Sequence, residues 1–270
     1  MEDFFVLKIP AFNPKYKKWD KYGYTHVKER DKLKAVLEES TEGFCMYCFS
    51  RIRVDGKLYA NLEHAIEKSN SNKLIECVPN IGLSCTVCNQ TFKRTGEKKR
   101  KLSESVIEQF ENNSRCSVHN RKQCTVPCKA LRELQKNYSC MPNAEIILQP
   151  MGVKGSESNE ELSLQYNILN MEFEPAEDKF TYSSKEIKFI RAHIMRFRLN
   201  DSRYRSSQLF DFVRNVIDNN GNIPTYEYNN LIVKLFQKRL LGRSREEVLK
   251  ICKSIFMITF TKMQGVKSDK

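Results

Sequence analysis

Two pairs of closely spaced cysteines constrain this chain more than any other feature of its sequence. Cys45 and Cys48 form one C-x2-C pair, Cys85 and Cys88 form another, and 36 residues separate the pairs. A two-residue gap lets one tight turn present two thiolates to the same ion, and zinc prefers four such ligands in a tetrahedron. The interval exceeds the roughly 15–20 residues usual between such pairs, so further sequence is inserted there. The spacing predicts one structural zinc site.

The composition favours a cytoplasmic protein whose cysteines bind metal. Ten cysteines occur among the 270 residues. A membrane span needs about 18 or more consecutive apolar residues, and the sequence has no such run. The apolar start of the chain lacks the basic flank expected of a secretory signal. We therefore expect a soluble, cytoplasmic chain without a membrane partner, in a compartment where reducing conditions disfavour disulfides.

The charge balance favours a polyanionic partner. Lysine and arginine total 46 against 33 acidic residues, which gives a net charge of +13. Contacts between such side chains and phosphates release counterions and stabilise nucleic-acid complexes. A solvated lysine-rich surface would give the same total, but here basic residues cluster directly after the second cysteine pair. This basic run comprises Lys93, Arg94, Lys98, Lys99, Arg100 and Lys101.

The sequence in and around the long interval carries residues suited to hydrolytic chemistry. A predicted strand ends in the acid–histidine pair Glu63 and His64. An unperturbed imidazole titrates near neutral pH and is a natural general base. Asn80 precedes the second cysteine pair, Asn89 follows it, and residues 88–93 are predicted to open a helix.

The ordered series CxxC, Glu-His and N-x4-CxxCN-x3-K resembles the HNH endonucleases. These enzymes have a ββα-metal fold, in which two strands and one helix hold a nuclease centre. In many members, zinc-binding cysteine pairs stabilise that module. The resemblance covers roughly residues 40–101, less than a quarter of the chain. It implies an α+β fold, with a ββα-metal HNH nuclease module built on zinc knuckles and a mainly α-helical C-terminal part.

A narrower resemblance is to the HNH subunits of bacterial anti-phage systems of the Septu and retron type. This chain departs from them at Glu67, where those subunits tend to carry proline. The resemblance implies an effector of phage defence that is controlled by an ATPase partner. The residues that carry it are Lys68 and Ser69 after the Glu-His pair, and further on Ile187, Leu199, Asn200 and Arg203.

The HNH resemblance also implies roles for individual residues. His64 would act as general base, and Asn80 would hold the histidine loop and orient the ring. Glu63 and Asn89 would bind one catalytic ion, because their oxygen donors suit Mg²⁺ or Mn²⁺, whereas thiolates select Zn²⁺. Nucleic-acid contacts are predicted for the basic run, at Lys93, Arg94, Lys98 and Lys99.

A second cluster of cysteine and histidine could hold another zinc ion. Its spacings are irregular, and the same residues could instead be small buried side chains around a loop. Cys77 is predicted to be a buried thiol, and His26 and His193 need no metal. The ligands of the second site would be Cys116, His119, Cys124 and Cys128, with Cys140 further on.

Hydrophobic spacing and capping patterns organise the remainder of the chain. Helices are predicted over 29–39, 103–110, 209–216 and 226–241, and extended chain over 144–148 and 163–173. Two more helices should begin at the capping boxes Ser183 with Glu186 and Ser244 with Glu247. The predicted segments are 1–40, an irregular arm and helix; 41–110, the HNH nuclease module; 111–180, a Cys/His-rich and extended insert; and 181–270, a helical C-terminal region.

The sequence leaves three functions open. The first is an endonuclease that cleaves DNA, with an ATPase partner docked on the helical residues 183–262. The second is a ribonuclease acting on a tRNA-type target, because the same centre can cleave RNA. The third is a zinc-stabilised nucleic-acid-binding or scaffold protein without catalysis. The joint presence of Glu63, His64, Asn80 and Asn89 favours an active centre over this last interpretation.

Overall fold

The protein folds into a mixture of α-helices and short antiparallel β-strands. The structure is a computed structural model and describes residues 4–114, 125–201, 207–224 and 228–265. Within these ranges the helices are α1 (Val27–Ser40), α2 (Glu104–Asn113), α3 (Lys129–Ser139), α4 (Ser184–Arg196), α5 (Ser207–Asp218), α6 (Leu231–Leu240) and α7 (Arg245–Gly265). The strands are β1 (Val6–Lys8), β2 (Arg53–Val54), β3 (Lys57–Leu58), β4 (Ala60–His64), β5 (Ile81–Cys85), β6 (Leu164–Asn167) and β7 (Glu172–Pro175).

Two C-terminal helices begin at the capping boxes that the sequence predicts. The Ser183 hydroxyl accepts a hydrogen bond from the Glu186 amide at 3.3 Å, and the Ser183 amide donates to the Glu186 carboxylate at 2.8 Å. Ser244 and Glu247 form the same two bonds before α7. Each box satisfies N–H groups that have no partner inside a helix. The predicted starts of α4 and α7 are confirmed.

Most other helices agree with their predicted ranges within a few residues. This holds for α1, α2 and α5, whereas α3 was not predicted. α6 begins at Leu231, later than the predicted start at 226, because the Asn230 side chain caps it by accepting a hydrogen bond from the Ile232 amide at 2.9 Å. Among the described helices, none combines the length and apolar character needed to cross a bilayer.

β4 and β5 form an antiparallel pair that carries the predicted nuclease residues. The register pairs His64 with Ile81 and Ala60 with Cys85. The acid–histidine pair therefore lies at one end of the hairpin and a predicted zinc ligand at the other. A short π-helical segment, Cys88–Lys93, follows β5. The strand that ends at His64 and the helical segment that begins at Cys88 thus lie where the sequence predicts them.

Residues 144–148, which are predicted to be extended, form no strand. The Ile147 amide donates to the His193 imidazole at 3.0 Å, so its hydrogen bond goes to a side chain in place of a neighbouring strand. Just beyond, the backbone of Gln149 lies close to β5. A Cβ atom at Gly82 would lie 2.9 Å from the Gln149 carbonyl oxygen, so the loop packs there only because residue 82 is glycine.

The N-terminal arm contributes a strand that the sequence does not predict. β1 pairs with β6, which pairs in turn with β7, and Val6 lies opposite Asn167. A strand of three residues is too short to display alternation, and its partner lies in the other half of the chain. The rest of the arm packs irregularly on the body, as expected, with Phe12 and Tyr22 buried.

The hairpin and the C-terminal helices share one hydrophobic core. A continuous cluster of buried apolar side chains includes members of all four predicted segments. The ring of Tyr47 stacks on that of Phe197 at the end of α4, with the centroids 4.7 Å apart. In α4 itself, the Arg196 guanidinium donates to the carbonyl oxygens of Thr95 at 2.8 Å and Asn143 at 2.9 Å. The helical part therefore packs directly behind the predicted nuclease module.

Candidate metal centre and adjoining cleft

The four cysteines of the two C-x2-C pairs converge on one point. The Sγ atoms of Cys45, Cys48, Cys85 and Cys88 all lie within 4.8 Å of one another. The Sγ atoms of Cys48 and Cys85 are 3.7 Å apart. A tetrahedron of thiolates at the zinc–sulfur distance of about 2.3 Å has an edge of about 3.8 Å, so the spacing fits zinc. These residues form a candidate structural zinc site.

Backbone amides hold the cysteine sulfurs in place. The Cys85 amide donates to Cys45 Sγ at 3.3 Å, and the Cys88 amide donates to Cys85 Sγ at 3.4 Å. Such bonds favour the thiolate form, which is the form that binds metal. Burial raises the pKa of the Cys45 thiol, whereas its hydrogen bond with Cys45 lowers the pKa of Cys85. A bound Zn²⁺ would supply the charge that keeps all four thiols ionised.

A cleft of about 280 Å³ adjoins the metal centre. It brings together five of the residues predicted from sequence: Glu63, His64, Asn89, Lys93 and Arg94. The other residues that line it were not predicted to belong to the site. They are Tyr24, Leu62, Glu67, Lys68, Gln90 and Glu97.

The His64 ring is oriented by a backbone carbonyl group. Its Nε2 atom lies 3.1 Å from the Ile75 carbonyl oxygen, and because a carbonyl only accepts, Nε2 carries the proton. Nδ1 therefore keeps a lone pair. Burial, together with the charges of the nearby Lys68 and Lys93, lowers the pKa of His64 to about 4. The ring of Tyr24 packs edge-on against the imidazole at 4.6 Å between centroids.

Asn80 lies behind the cleft and fixes the chain that follows His64. Its Oδ1 accepts from the Ile66 amide and its Nδ2 donates to the Ile66 carbonyl, both at 2.8 Å. The Asn80 carbonyl also accepts from the Ala65 amide at 2.7 Å. Asn80 is fully buried and does not line the cleft. This placement suits the predicted role of holding the histidine loop.

Glu63 and Lys93 form an ion pair inside the cleft. The Lys93 ammonium contacts Glu63 Oε1 and also donates to the His64 carbonyl oxygen. The Tyr47 hydroxyl donates to Glu63 Oε2 at 2.7 Å. Burial raises the pKa of Glu63, and Lys93 opposes that shift. Lys93 is only 4% exposed, so its placement differs from the open phosphate contact expected from the basic run.

A buried network beside this pair is not predicted by any pattern in the sequence. Glu67 Oε1 accepts from Arg100 Nε at 3.0 Å, from Arg100 Nη2 at 2.8 Å and from the Tyr138 hydroxyl at 2.8 Å. Arg100, although a member of the basic run, is fully buried. The one available signal was Glu67 itself, which stands where the resembling subunits carry proline. A buried carboxylate at that position requires cationic or hydroxyl partners.

The other basic residues of the run lie at the surface, as contacts with nucleic acid would require. Arg94, Lys98 and Lys99 are exposed, and Arg94 lines the cleft. Lys68 is also exposed, and its ammonium lies 4.9 Å from the centre of the Tyr24 ring. The exposed Arg94 and Lys68 thus both line the cleft that contains His64.

Most of the predicted second zinc site lies outside the described residues. Cys116, His119 and Cys124 fall in the segment 115–124, of which the structure gives no description. Cys128 is half-buried at the start of α3, and Cys140 is exposed at its end. Cys77 is a buried thiol, as predicted.

Comparisons of the chain with protein-family models, with curated proteins and with solved structures gave no match. A proposal about its activity therefore rests on the cleft residues themselves.

Proposed function

We propose that this protein is a metal-dependent endonuclease of the HNH type, which hydrolyses phosphodiester bonds at the cleft beside the four-cysteine site. The observation that carries the proposal is the convergence of Glu63, His64 and Asn89 on one cleft flanked by cationic side chains. A general base, oxygen donors for a divalent ion, and cations for phosphate are the groups that this hydrolysis requires.

The donor set fits a hard divalent cation. Glu63 offers a carboxylate and Asn89 an amide oxygen, and such ligands suit Mg²⁺ or Mn²⁺. One buried carboxylate oxygen in the cleft, Glu67 Oε2, accepts no hydrogen bond. Glu63 Oε1 is bonded to the Lys93 ammonium, a cation that a metal ion could replace. Buried oxygens with open lone pairs favour a cation nearby.

Each protein group then has a defined task. His64 Nδ1 takes a proton from water, the water oxygen forms a bond to phosphorus, and the ester P–O bond breaks, with the leaving oxygen protonated from solvent. A divalent ion held by Glu63 and Asn89 would neutralise charge on the phosphate and on the leaving oxygen. Asn80 and the Ile75 carbonyl keep the imidazole in its tautomer and orientation. Because the pKa of His64 in the folded protein is lowered to about 4, its ring is neutral at pH 7 and able to accept a proton.

The resemblance supplies the biological part of the proposal. DNA is the expected substrate, and the expected role is that of an effector in bacterial phage defence under the control of an ATPase. The exposed Arg94, Lys98 and Lys99 support a nucleic-acid substrate, since exposed cations beside a cleft attract phosphates without reading sequence.

The direct test is cleavage by the purified, zinc-loaded chain. Plasmid, single-stranded DNA and tRNA are each incubated with Mg²⁺ or Mn²⁺, and with a chelator. His64→Ala should lower the rate by about 10²–10⁴-fold, the usual effect of removing a positioned general base. His26→Ala is the matched control, because His26 is exposed and precedes α1. Equal rates for the two variants would remove His64 from the mechanism, and cleavage of tRNA alone would identify a ribonuclease.

A further inference from the structure

One ammonium group in the cleft lies between two carboxylates. Lys93 Nζ contacts Glu63 Oε1 and lies 3.8 Å from Glu67 Oε1. The three side chains are each less than 10% exposed. In so little water, the strength of each ion pair depends strongly on distance, and exchange of partners changes the charge at both carboxylates.

The two carboxylates differ in the partners that their oxygens contact. Glu63 has one oxygen on the Tyr47 hydroxyl and the other on Lys93. Glu67 Oε1 accepts hydrogen bonds from Arg100 and Tyr138, whereas the buried Oε2 of Glu67 accepts none. Leaving a buried acceptor unpaired costs roughly 1–3 kcal/mol, so such an atom in a folded protein calls for an explanation.

We propose that Lys93 is an internal cation that pairs with Glu63 while the catalytic site holds no metal and moves to Glu67 Oε2 when a divalent ion binds Glu63. The inference rests on the proposed function, because that function makes Glu63 a metal ligand. Lysine suits this task, since its ammonium is a compact charge on a flexible stem. Lys93 and Glu67 are then positioning residues for the metal and need not touch the substrate.

The exchange keeps a cation beside each of the two buried carboxylates. Without metal, Glu63 and Glu67 face Lys93 and Arg100, two negative charges against two positive. With a divalent ion on Glu63, Lys93 would be repelled. Glu67 is the other cleft carboxylate within 4 Å of its ammonium, and the Oε2 atom of Glu67 accepts no hydrogen bond in this structure. The cleft then gains two positive charges, which favours the binding of a phosphate. Metal and nucleic acid would therefore bind with positive coupling.

The test is a double-mutant cycle on the affinity for Mn²⁺. Free Mn²⁺ is followed by electron paramagnetic resonance in the zinc-loaded full chain, without nucleic acid. Lys93→Met removes the competing charge and should tighten binding, and Glu67→Gln removes the receiving carboxylate and should weaken it, each by at least about fivefold. In the Lys93→Met background, Glu67→Gln should have almost no effect. Glu63→Gln is the control, because it should abolish the site.

Two outcomes would overturn the proposal. If Glu67→Gln weakens Mn²⁺ binding equally in both backgrounds, Glu67 acts through its charge alone and receives no lysine. If neither the parent nor Lys93→Met binds Mn²⁺ in a manner that depends on Glu63, the cleft has no cation for Lys93 to compete with. Cleavage is measured separately, so a chain with the predicted coupling that cuts no nucleic acid would refute the nuclease and leave the exchange standing.

A measurement on the parent chain covers the case in which Glu67→Gln does not fold. The ¹⁵Nζ signal of Lys93, assigned by its disappearance in Lys93→Met, is recorded as Mg²⁺ is added to the parent chain. A shift that saturates with Mg²⁺ supports the exchange of partners. A signal that stays unchanged while Mg²⁺ saturates the site contradicts it.

Discussion

The buried imidazole of His193 should make the folded state less stable as the pH falls. Its Nδ1 accepts a hydrogen bond from the Ile147 amide at 3.0 Å, and a protonated Nδ1 would face that amide with a second hydrogen. Burial and, to a lesser extent, the charge of Arg196 lower the pKa of His193 to about 3. The unfolded chain, with a histidine pKa of about 6.5, binds the proton first. The stabilising contribution is therefore fully present above about pH 6.5 and declines as the pH falls towards 3.

The magnitude follows from the two pKa values. Between them, one proton taken up only by the unfolded chain changes the free energy of unfolding by about 1.4 kcal/mol per pH unit. From pH 7.5 to 5.0, His193 should therefore cost the folded state about 2 kcal/mol. His64, with its pKa lowered to about 4, acts in the same direction over this range. Replacement of His193 should therefore remove about half of the stability loss between pH 7.5 and 5.0 that these two histidines cause together.

The variant His193→Asn separates titration from packing. The asparagine Oδ1 can replace Nδ1 as acceptor but does not titrate, while the packing of the imidazole against Tyr47 and Phe197 is removed at every pH. Urea unfolding of the parent and the variant is measured at pH 7.5 and at pH 5.0 with saturating zinc. The variant should be less stable at pH 7.5, yet its decrease in stability on acidification should be smaller by about 2 kcal/mol. An equal decrease in both proteins would show that His193 is not held neutral by burial.

Three further predictions concern the metal, the histidine loop and the exposed cations. Metal analysis should return at least one zinc per chain, and Cys85→Ser should leave the chain unfolded or insoluble; a soluble, folded, zinc-free parent would contradict this. Asn80→Asp keeps the oxygen that accepts from the Ile66 amide but replaces the amide donor with a carboxylate oxygen that faces the Ile66 carbonyl. It should lower the free energy of unfolding, measured in urea, by about 1–3 kcal/mol. An unchanged unfolding midpoint would count against these hydrogen bonds. Replacing Arg94, Lys98 and Lys99 by alanine should reduce the slope of log affinity against log salt by roughly 0.7–0.9 for each phosphate that is no longer neutralised, whereas an unchanged slope would limit them to solubility.

Local signals in the sequence predicted the parts of the fold that depend on neighbours in the chain. The C-x2-C gap and the Ser183–Glu186 spacing each describe one turn of backbone, and both appear as expected. Burial within the basic run could not be predicted in this way. Arg100 and Lys98 are both basic residues of the same run. Arg100 is buried and donates a hydrogen bond to Glu67, 33 residues away in sequence, whereas Lys98 is exposed to solvent. Tyr138, 71 residues from Glu67, completes that network from α3, and no periodicity indicates such a partner.

The stack of Tyr47 on Phe197 has a mechanical consequence for the cleft. Phe197 ends α4, its ring lies 4.7 Å from that of Tyr47, and the Tyr47 hydroxyl holds the Glu63 carboxylate. The last turn of α4 is thus two contacts away from Glu63. We expect a tilt of α4 that separated the two rings to loosen the packing of Tyr47 and to weaken its hydrogen bond to that carboxylate. The position of α4 would then affect Glu63 without any movement of the β4–β5 hairpin.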